Sequence, residues 1–325
     1  MKILLPRDYI KAATAEVKKA KRRVLLLSMV VADHPATHPL ISAIEDAARR
    51  GVKVTVAADT FTYGEVSGSF LPVRYYSPNG RLATKMGKDL KAAGVNFHWL
   101  GRARVTLFNG RTHSKWCIAD DTVFTFGGVN TYQGGIENVD YMFQITNPQL
   151  ADRLEQEQHR IQRAEARATN YPSTSYPTKD GTVLIDGGII AHSIIYKRAC
   201  ELAKQATNIL YVSQYCPTGK LARIMKRKSS HTYFNYPEKA DFINRMFMKF
   251  SIGTSGLKNR YRRTKPYLHA KFIIFTLPGG KKVAITGSHN FAFTGVLFGT
   301  REIALETSNK ITIRQLERFF KEHLA

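Results

Sequence analysis

The first half of the chain alternates between short apolar stretches and amphipathic stretches. Positions 23–30 form a short, largely apolar pattern typical of a buried strand, and valines alternate with other residues over 52–56. Between them, apolar residues recur at helical spacing over 39–50, and a second helical pattern covers 82–93, before alternating apolar positions over 95–99. Strands that alternate with helices indicate an α/β sheet with parallel pairings.

An irregular stretch separates this half from a second one with a similar order. Asn147-Pro148 is typical of a helix start, since Asn can cap the helix and Pro suits its first position. Residues 169–180 are rich in Pro, Ser and Thr and show no periodicity, which indicates a linker. We therefore expect a first domain over 1–168 and a second domain over 181–325.

The second half repeats the alternation. Its predicted elements are a helix over 189–206, a strand over 209–214, a basic helix over 220–228 and a strand with alternating apolar residues over 246–252. Pro278-Gly279-Gly280 then predicts a turn between strands over 271–275 and 282–286. Asp120-Asp121 is the corresponding turn in the first half.

One short constellation of polar residues occurs twice. The first copy reads His113-Ser114-Lys115, Asp120 and Gly127-Gly128-Val129-Asn130. The second reads His269-Ala270-Lys271 and Gly287-Ser288-His289-Asn290. The histidines are 156 residues apart (269 − 113) and the asparagines 160 (290 − 130), and a longer second hairpin loop accounts for the difference. The pattern indicates an internal duplication.

The repeated residue types suit phosphodiester chemistry. In a strand, residues i and i+2 share a face, so each His and its Lys are expected to point the same way. If the halves pack about a pseudo-two-fold axis, two His, two Lys and two Asn converge on one positive, donor-rich site. One neutral imidazole would attack phosphorus and form a phosphohistidine, while the other would protonate the leaving alkoxide and then deprotonate an alcohol or water. This chemistry requires neither a metal nor a cofactor.

Each imidazole used in this way needs an acceptor for its other nitrogen. Aligning the segments that follow the two asparagines matches Val139-Asp140-Tyr141-Met142-Phe143 with Arg301-Glu302-Ile303-Ala304-Leu305. In both segments an acid is followed by three apolar residues. We therefore assign the acceptors to Asp140 and Glu302, with Glu137 as a weaker candidate for the first.

The two copies resemble the signature of the phospholipase D superfamily, in which His-x-Lys-x4-Asp is followed by Gly-Gly/Ser-x-Asn. The first copy fits completely, whereas Thr276 occupies the Asp position of the second. The resemblance implies two similar α/β halves, each a mixed sheet flanked by helices, related by a pseudo-two-fold axis with the active site at their interface. It implies catalytic roles for the motif residues, with attack by His113 and acid/base catalysis by His269. The motif residues are His113, Lys115, Asp120, Asn130, His269, Lys271 and Asn290. In this family the Asp is thought to support the loop more than the chemistry.

Charge points to a polyanionic partner. The chain has 49 Lys and Arg against 25 Asp and Glu, a net charge of +24, which favours nucleic acid or an anionic lipid surface without choosing between them. Arg260, Arg262 and Arg263 lie on a Gly-containing basic segment before His269, and we expect them either to bind a phosphate-bearing substrate or to form a solvated loop. The apolar segment 291–298 is expected to be core or to line an acyl-chain pocket.

Three functions are compatible with these features. Two motifs in one chain are similar to the cardiolipin synthase branch, which implies phosphatidyl transfer between phospholipids by a single chain acting at an anionic membrane surface. The alternatives are a nuclease or phosphodiesterase of the same superfamily acting on DNA or RNA, and a non-enzymatic polyanion binder. A charged, Pro-interrupted N-terminus and an odd count of three cysteines predict a cytoplasmic protein, peripheral on the cytosolic face of the membrane.

Overall fold

The computed structural model describes residues 1–68, 72–101, 110–239 and 242–325. The first sheet contains β1 (Lys2–Leu4), β2 (Arg23–Ser28), β3 (Lys53–Asp59), β4 (Asn96–Leu100), β5 (Trp116–Ala119), β6 (Thr122–Thr125) and β7 (Met142–Thr146). Within the described residues these strands lie in the order β1-β7-β6-β5-β2-β3-β4. β2, β3 and β4 are parallel neighbours and the other pairings are antiparallel, so the sheet is mixed.

The helices of this half connect or flank those strands. They are α1 (Pro6–Lys19), α2 (His38–Arg49), α3 (Phe61–Ser67), α4 (Pro78–Ala92), α5 (Gln133–Glu137) and α6 (Pro148–Ala166), with a short 3-10 helix at Pro72–Tyr75. The predicted cap of α6 is confirmed, because Asn147 Oδ1 accepts a hydrogen bond from the Leu150 amide at 3.1 Å.

The second sheet has a closely similar order. Its strands are β8 (Thr174–Thr178), β9 (Gly181–Gly187), β10 (Asn208–Val212), β11 (Ser229–Tyr233), β12 (Phe272–Thr276), β13 (Lys282–Gly287) and β14 (Arg301–Thr307). In the described part of the chain they are arranged β11-β10-β12-β13-β14-β9-β8. The run β3-β2-β5-β6-β7 of the first sheet thus matches β11-β10-β12-β13-β14 of the second, which agrees with an internal duplication.

The remaining helices belong to the second half. They are α7 (Ile194–Gln205), α8 (Gly219–Lys226), α9 (Phe242–Ser255), α10 (Phe293–Phe298) and α11 (Lys310–His323), with 3-10 turns at Pro237–Lys239 and Pro278–Gly280. The expected class, two mixed α/β sheets flanked by helices, is confirmed. No helix within the described ranges combines the length and the apolarity needed to cross a bilayer.

The two sheets share one hydrophobic core. Ile118 and Tyr141 from the first sheet pack in the same buried cluster as Phe272 and Ile303 from the second. The Tyr141 hydroxyl also lies 2.6 Å from Thr286 Oγ1 across this junction. Because apolar burial is the dominant stabilising term, this shared core fixes the halves against each other and thereby sets the geometry between them.

Two secondary-structure predictions were wrong. The strand predicted over 246–252 is part of α9: Met248 is 1% exposed whereas Met246 and Phe250, four residues apart, are 60% and 63% exposed, which is the period of a helix. Part of the predicted linker over 169–180 is β8, the edge strand of the second sheet. The domain boundaries at 168 and 181 stay a prediction.

Candidate active site

The two His-x-Lys segments lie immediately before a hairpin in each half. His113 precedes β5 and His269 precedes β12, so these residues lie at the ends of strands rather than within them. Both histidines line one cavity of about 420 Å³ between the halves. The same cavity is lined by the other repeated residues, Lys115, Lys271, Asn130 and Asn290. The structure therefore brings both copies of the motif to one site.

Each imidazole is held by a carboxylate from the opposite half. His113 Nδ1 lies 3.1 Å from Glu302 Oε1, and His269 Nδ1 lies 2.7 Å from Asp140 Oδ2. Both carboxylates are buried, at 1% and 2% exposure for Asp140 and Glu302. Since an ionised carboxylate only accepts hydrogen bonds, each Nδ1 carries the proton and each neutral ring keeps its lone pair on Nε2.

The backbone repeats the same exchange between halves. The amides of His113 and Ser114 donate to the Arg301 carbonyl at 2.8 and 3.0 Å, and the amides of His269 and Ala270 donate to the Val139 carbonyl at 3.0 Å each. Arg301 and Val139 directly precede the two carboxylates. In each half, the residue just before the carboxylate therefore binds the backbone of the same histidine whose ring the carboxylate contacts.

The carboxylates are held by further donors of different kinds. Asp140 Oδ1 accepts from the backbone amides of Gly128 at 3.2 Å and Tyr141 at 2.8 Å. Glu302 Oε2 accepts from the Ser288 hydroxyl at 2.5 Å and Oε1 from the Thr300 hydroxyl at 3.1 Å. Burial would raise the pKa of Glu302, but the nearby His113, His289 and Lys115 outweigh it and lower that pKa to about 2, so Glu302 is a permanent anion.

Both lysines are buried next to their histidines. Lys115 Nζ donates to the His113 carbonyl at 2.8 Å and Lys271 Nζ to the His269 carbonyl at 2.5 Å. Burial lowers the pKa of Lys115, against the opposing effect of Glu302 and Asp140. The same burial, with Lys115 nearby, lowers the pKa of Lys271 to about 7. Two desolvated cations in one cavity favour an incoming anion.

His269 is neutral in the empty site. Burial lowers its pKa to about 4, helped by Lys271 and opposed by Asp140. Its side chain is 12% exposed, and that of His113 is 22% exposed. The His113 ring is therefore the more accessible of the two to a molecule in the cavity.

Several cavity residues were not assigned a catalytic role from the sequence, among them His289, which was expected to be structural or to line the substrate site. His289 lines the cavity and its Nδ1 accepts from the Phe291 amide at 2.8 Å, while burial lowers the pKa of its ring to about 4. No local pattern indicates the aromatic wall, which comes from separate loops and helices and comprises Phe61, Tyr132, Tyr215, Tyr267 and Phe298. Of the segment 291–298, Phe291 is core and Phe298 lines the cavity, while an acyl-chain pocket stays a prediction.

The expected place of Asp120 in the site needs correction. It lies at the turn after β5, outside the cavity lining, and its carboxylate accepts from the backbone amides of Lys21, Arg22 and Arg23 at 2.9 to 3.1 Å. Asp120 also adopts a φ of 50°, which Asp tolerates better than most residues. Its contacts hold the turn and do not reach the histidines.

The three arginines expected to bind substrate also lie outside the cavity lining. Arg260, Arg262 and Arg263 are exposed on the surface segment before His269. Arg263 stacks on the Tyr236 ring at 4.6 Å and lies 3.9 Å from Glu238. Lys239, which follows Glu238 in the sequence, lines the cavity instead.

The cysteines are not placed for chemistry. Cys117, Cys200 and Cys216 are free and buried, and burial raises their pKa values to about 12, 11 and 12, so the thiols stay protonated at neutral pH. Among the described residues, no three His, Cys, Asp or Glu side chains are grouped as metal ligands.

Comparison with known proteins agrees with this geometry. A sequence model described as the cardiolipin synthase phospholipase D-like domain matches residues 14–162, which include the first motif and Asp140. Phosphatidylserine synthase from Haemophilus influenzae Rd KW20 has the same fold over the whole chain, with a TM-score of 0.71 and 13% identity, covering 100% of this chain and 86% of that one. Residues 14–162 thus match a phospholipase D-like domain, and the whole chain shares the fold of that phosphatidylserine synthase.

Other comparisons add to this assignment. Polyphosphate kinase from Porphyromonas gingivalis superposes with a TM-score of 0.62 at 13% identity, covering 98% of this chain but 49% of that one. A search of curated protein sequences gave no match. The match to a phospholipase D-like domain supports phosphodiester transfer as the general chemistry of this protein.

Proposed function

We propose that this protein transfers a phosphatidyl group from a donor phospholipid to an alcohol acceptor, in the manner of the cardiolipin synthase branch of the phospholipase D superfamily. One observation carries the proposal. His113 and His269 line one cavity, and each is fixed through Nδ1 by the carboxylate of the other half. Both Nε2 atoms would then be available to a single phosphodiester, with the two buried lysines in the same cavity.

The first step forms a phosphohistidine. The lone pair on His113 Nε2 attacks phosphorus, and the bond from phosphorus to the head-group oxygen breaks. Protonated His269 gives its Nε2 proton to that leaving alkoxide. The pKa of His269 is about 4 in the empty site, so proton uptake must accompany substrate binding, since the phosphodiester anion offsets the two lysines that lower it. Lys115 and Lys271 bind the non-bridging oxygens throughout.

The second step transfers the group. Neutral His269 takes the proton from the acceptor hydroxyl, whose oxygen attacks phosphorus, and the bond from phosphorus to His113 Nε2 breaks. His113 is regenerated with its lone pair, and Glu302 stabilises the positive charge that the ring carries while it is phosphorylated. With phosphatidylglycerol as both donor and acceptor, the products are cardiolipin and glycerol.

The cavity walls favour a lipid over a hydrophilic phosphodiester. Met29, Val30, Phe61 and Phe298 line it together with the charged groups. Apolar walls next to a phosphate site suit an amphiphile, because the acyl or glycerol part is removed from water while the phosphate is held by the lysines. The basic surface of the chain supports binding at anionic lipid.

The test is an assay of the purified protein with radiolabelled phosphatidylglycerol in vesicles, followed by thin-layer chromatography. We expect cardiolipin from the wild type and none from His113→Ala. His38→Ala is the matched control, because His38 Nδ1 also pairs with a carboxylate, Asp33 at 2.9 Å, but on the surface of α2. Cardiolipin formation that survives His113→Ala would contradict the proposal.

Trapping separates the roles of the two histidines. A nitrophenyl phosphodiester needs no proton on its leaving group, so His269→Ala should still form a phosphohistidine with it and should accumulate that species. His113→Ala should form none. If His113→Ala instead accumulated the phosphohistidine and His269→Ala formed none, His269 would be the nucleophile and His113 the acid/base in the same mechanism.

A nuclease is the second candidate, because a net charge of +24 suits a nucleic acid as well as a lipid surface. Cleavage of a labelled oligonucleotide without any lipid product would select it. Binding of polyanions without a trapped phosphohistidine from any substrate would select a non-enzymatic role.

A further inference from the structure

Helix α9 has an exposed face that the active site does not use. Met246 and Phe250 are 60% and 63% exposed and lie four residues apart, so they are neighbours on one side of the helix. Arg245 and Lys249 are exposed beside them at the same spacing. The opposite side is buried, with Met248 at 1% and Ser251 at 5% exposure. The outer face thus pairs an apolar stripe with a basic stripe.

This helix also forms part of the cavity wall. Ser251 lines the cavity, and so does Lys239 in the 3-10 turn that packs against α9. A second wall helix shows the same arrangement, because Phe298 of α10 lines the cavity while Leu297 beside it is 47% exposed. Large apolar side chains are therefore exposed on two helices that also contribute residues to the cavity wall.

We propose that the outer face of α9 docks on a bilayer surface containing anionic phospholipid, with Met246 and Phe250 inserted among the lipids at the mouth of the cavity. The proposal rests on the proposed function, since it supplies the route by which a phospholipid reaches the histidines. Met246 and Phe250 would be removed from water. Arg245 and Lys249 would lie at the level of the head groups, as in interfacial amphipathic helices.

Charge around the helix favours the same partner. The 3-10 turn beside α9 is contacted by Arg263, and Arg260 and Arg262 are exposed on the same surface segment. Basic residues next to an anionic leaflet each add to the attraction between the protein and the membrane. A nucleic acid would contact only the basic residues, whereas a lipid surface would also bury Met246 and Phe250. Without a partner, these exposed apolar side chains would lower the solubility of the protein.

The first experiment measures vesicle binding by flotation. It compares vesicles of phosphatidylcholine with and without phosphatidylglycerol, and uses the His113→Ala protein so that turnover does not change the lipid. The double variant Met246→Ser, Phe250→Ser should bind phosphatidylglycerol vesicles about tenfold more weakly, as expected for two partly inserted side chains. Ile311→Ser is the matched control, because Ile311 is 68% exposed on α11, away from the cavity lining, and should leave binding unchanged.

The second experiment reports insertion directly. Phe250→Trp adds a fluorophore to α9, whose emission should shift to the blue on binding and be quenched by brominated lipids. Ile311→Trp should show neither effect. Lys249→Gln should weaken binding and reduce its dependence on salt.

The docking proposal is overturned if the double variant floats as well as the Ile311→Ser control, or if the tryptophan at position 250 is not quenched. Loss of oligonucleotide binding rather than vesicle binding on Lys249→Gln would also overturn it, in favour of a nucleic acid. These results are independent of catalysis. Vesicle binding through α9 without cardiolipin formation would refute only the proposed function, and cardiolipin formation without α9-dependent binding would refute only the docking.

Discussion

The substitution Asp140→Asn should be far more damaging than Glu302→Gln, although each removes one negative charge next to a histidine. The reason lies in the other partners of the two carboxylates. Asp140 Oδ1 accepts from two backbone amides, those of Gly128 and Tyr141. A backbone N–H only donates, so in Asp140→Asn the carbonyl oxygen must keep this position, and the NH2 group must face His269.

That orientation reverses the hydrogen bond to His269. The ring would have to accept at Nδ1, which places its proton on Nε2 and removes the lone pair that takes the proton from the acceptor alcohol. Loss of the charge-assisted bond to the imidazolium costs about 1.5–3 kcal/mol, or roughly 10- to 150-fold in rate. The wrong tautomer adds to this, so we expect kcat to fall about 10³-fold or more, as for a comparable substitution in a catalytic triad.

Glu302→Gln has an alternative that avoids the reversal. The partners of Glu302 are the hydroxyls of Ser288 and Thr300, which can rotate to accept instead of donating. The Gln carbonyl can therefore stay on His113 Nδ1 with its NH2 group on Ser288. The tautomer of His113 is kept and only the charge is lost, so we expect a fall in kcat of about 10- to 100-fold.

The assay is cardiolipin formation under saturating phosphatidylglycerol, with phosphohistidine trapping to follow the first step. Asp152→Asn is the matched control, since Asp152 pairs with Arg23 at 2.6 Å on the surface and should retain the wild-type rate. Equal losses for Asp140→Asn and Glu302→Gln, or a kcat of Asp140→Asn within threefold of the wild type, would refute the reasoning.

Three further predictions concern stability. Asp120→Asn should lower the free energy of unfolding by about 1 kcal/mol in urea while kcat stays within twofold, because it weakens hydrogen bonds at a turn; a tenfold loss of kcat with unchanged stability would return Asp120 to the site. Burial lowers the pKa of His289 from 6.5 to about 4, so as the pH falls the unfolded chain takes up a proton before the folded chain does. The free energy of unfolding should therefore fall by about 3 kcal/mol between pH 6.5 and pH 4. His289→Val should reduce this pH dependence of stability, and an unchanged dependence would contradict the assignment. Arg301→Met should cost about 3–5 kcal/mol, since it breaks the buried ion pair in which Arg301 lies 2.5 Å from Glu165; a loss below 1 kcal/mol would contradict this.

The repeated motif made the core of the site predictable from sequence. His113, Lys115 and Asn130 have counterparts at matching offsets, and such repetition carries information that a single His-x-Lys does not. The two carboxylates were found by aligning the segments after each Asn, because an acid before apolar residues marks the start of a strand in both halves. The catalytic roles of these residues stay predictions.

Other features could not be predicted, for physical reasons. A short alternation of apolar residues, as over 246–252, is compatible with a strand and with a helix. Only the burial of the side chains in the folded protein identifies this segment as part of α9. The aromatic cavity wall comes from residues such as Phe61 and Tyr267, whose proximity depends on how the sheets pack and not on local pattern. The exchange of carboxylates between halves depends on the same packing, so the sequence identified Asp140 and Glu302 without showing which histidine each would hold.

The two histidines are held by equivalent bonds but lie in unlike surroundings. In both halves a carboxylate of the opposite half holds the ring, and a carbonyl of the opposite half holds the backbone amide of the histidine. His289, however, replaces Val129 of the first half, and it interacts with Glu302 and His113. The first histidine therefore faces an additional polar ring that has no counterpart at His269. This difference makes the two imidazoles of the duplicated site inequivalent. A reaction with one nucleophile and one acid/base requires such inequivalence.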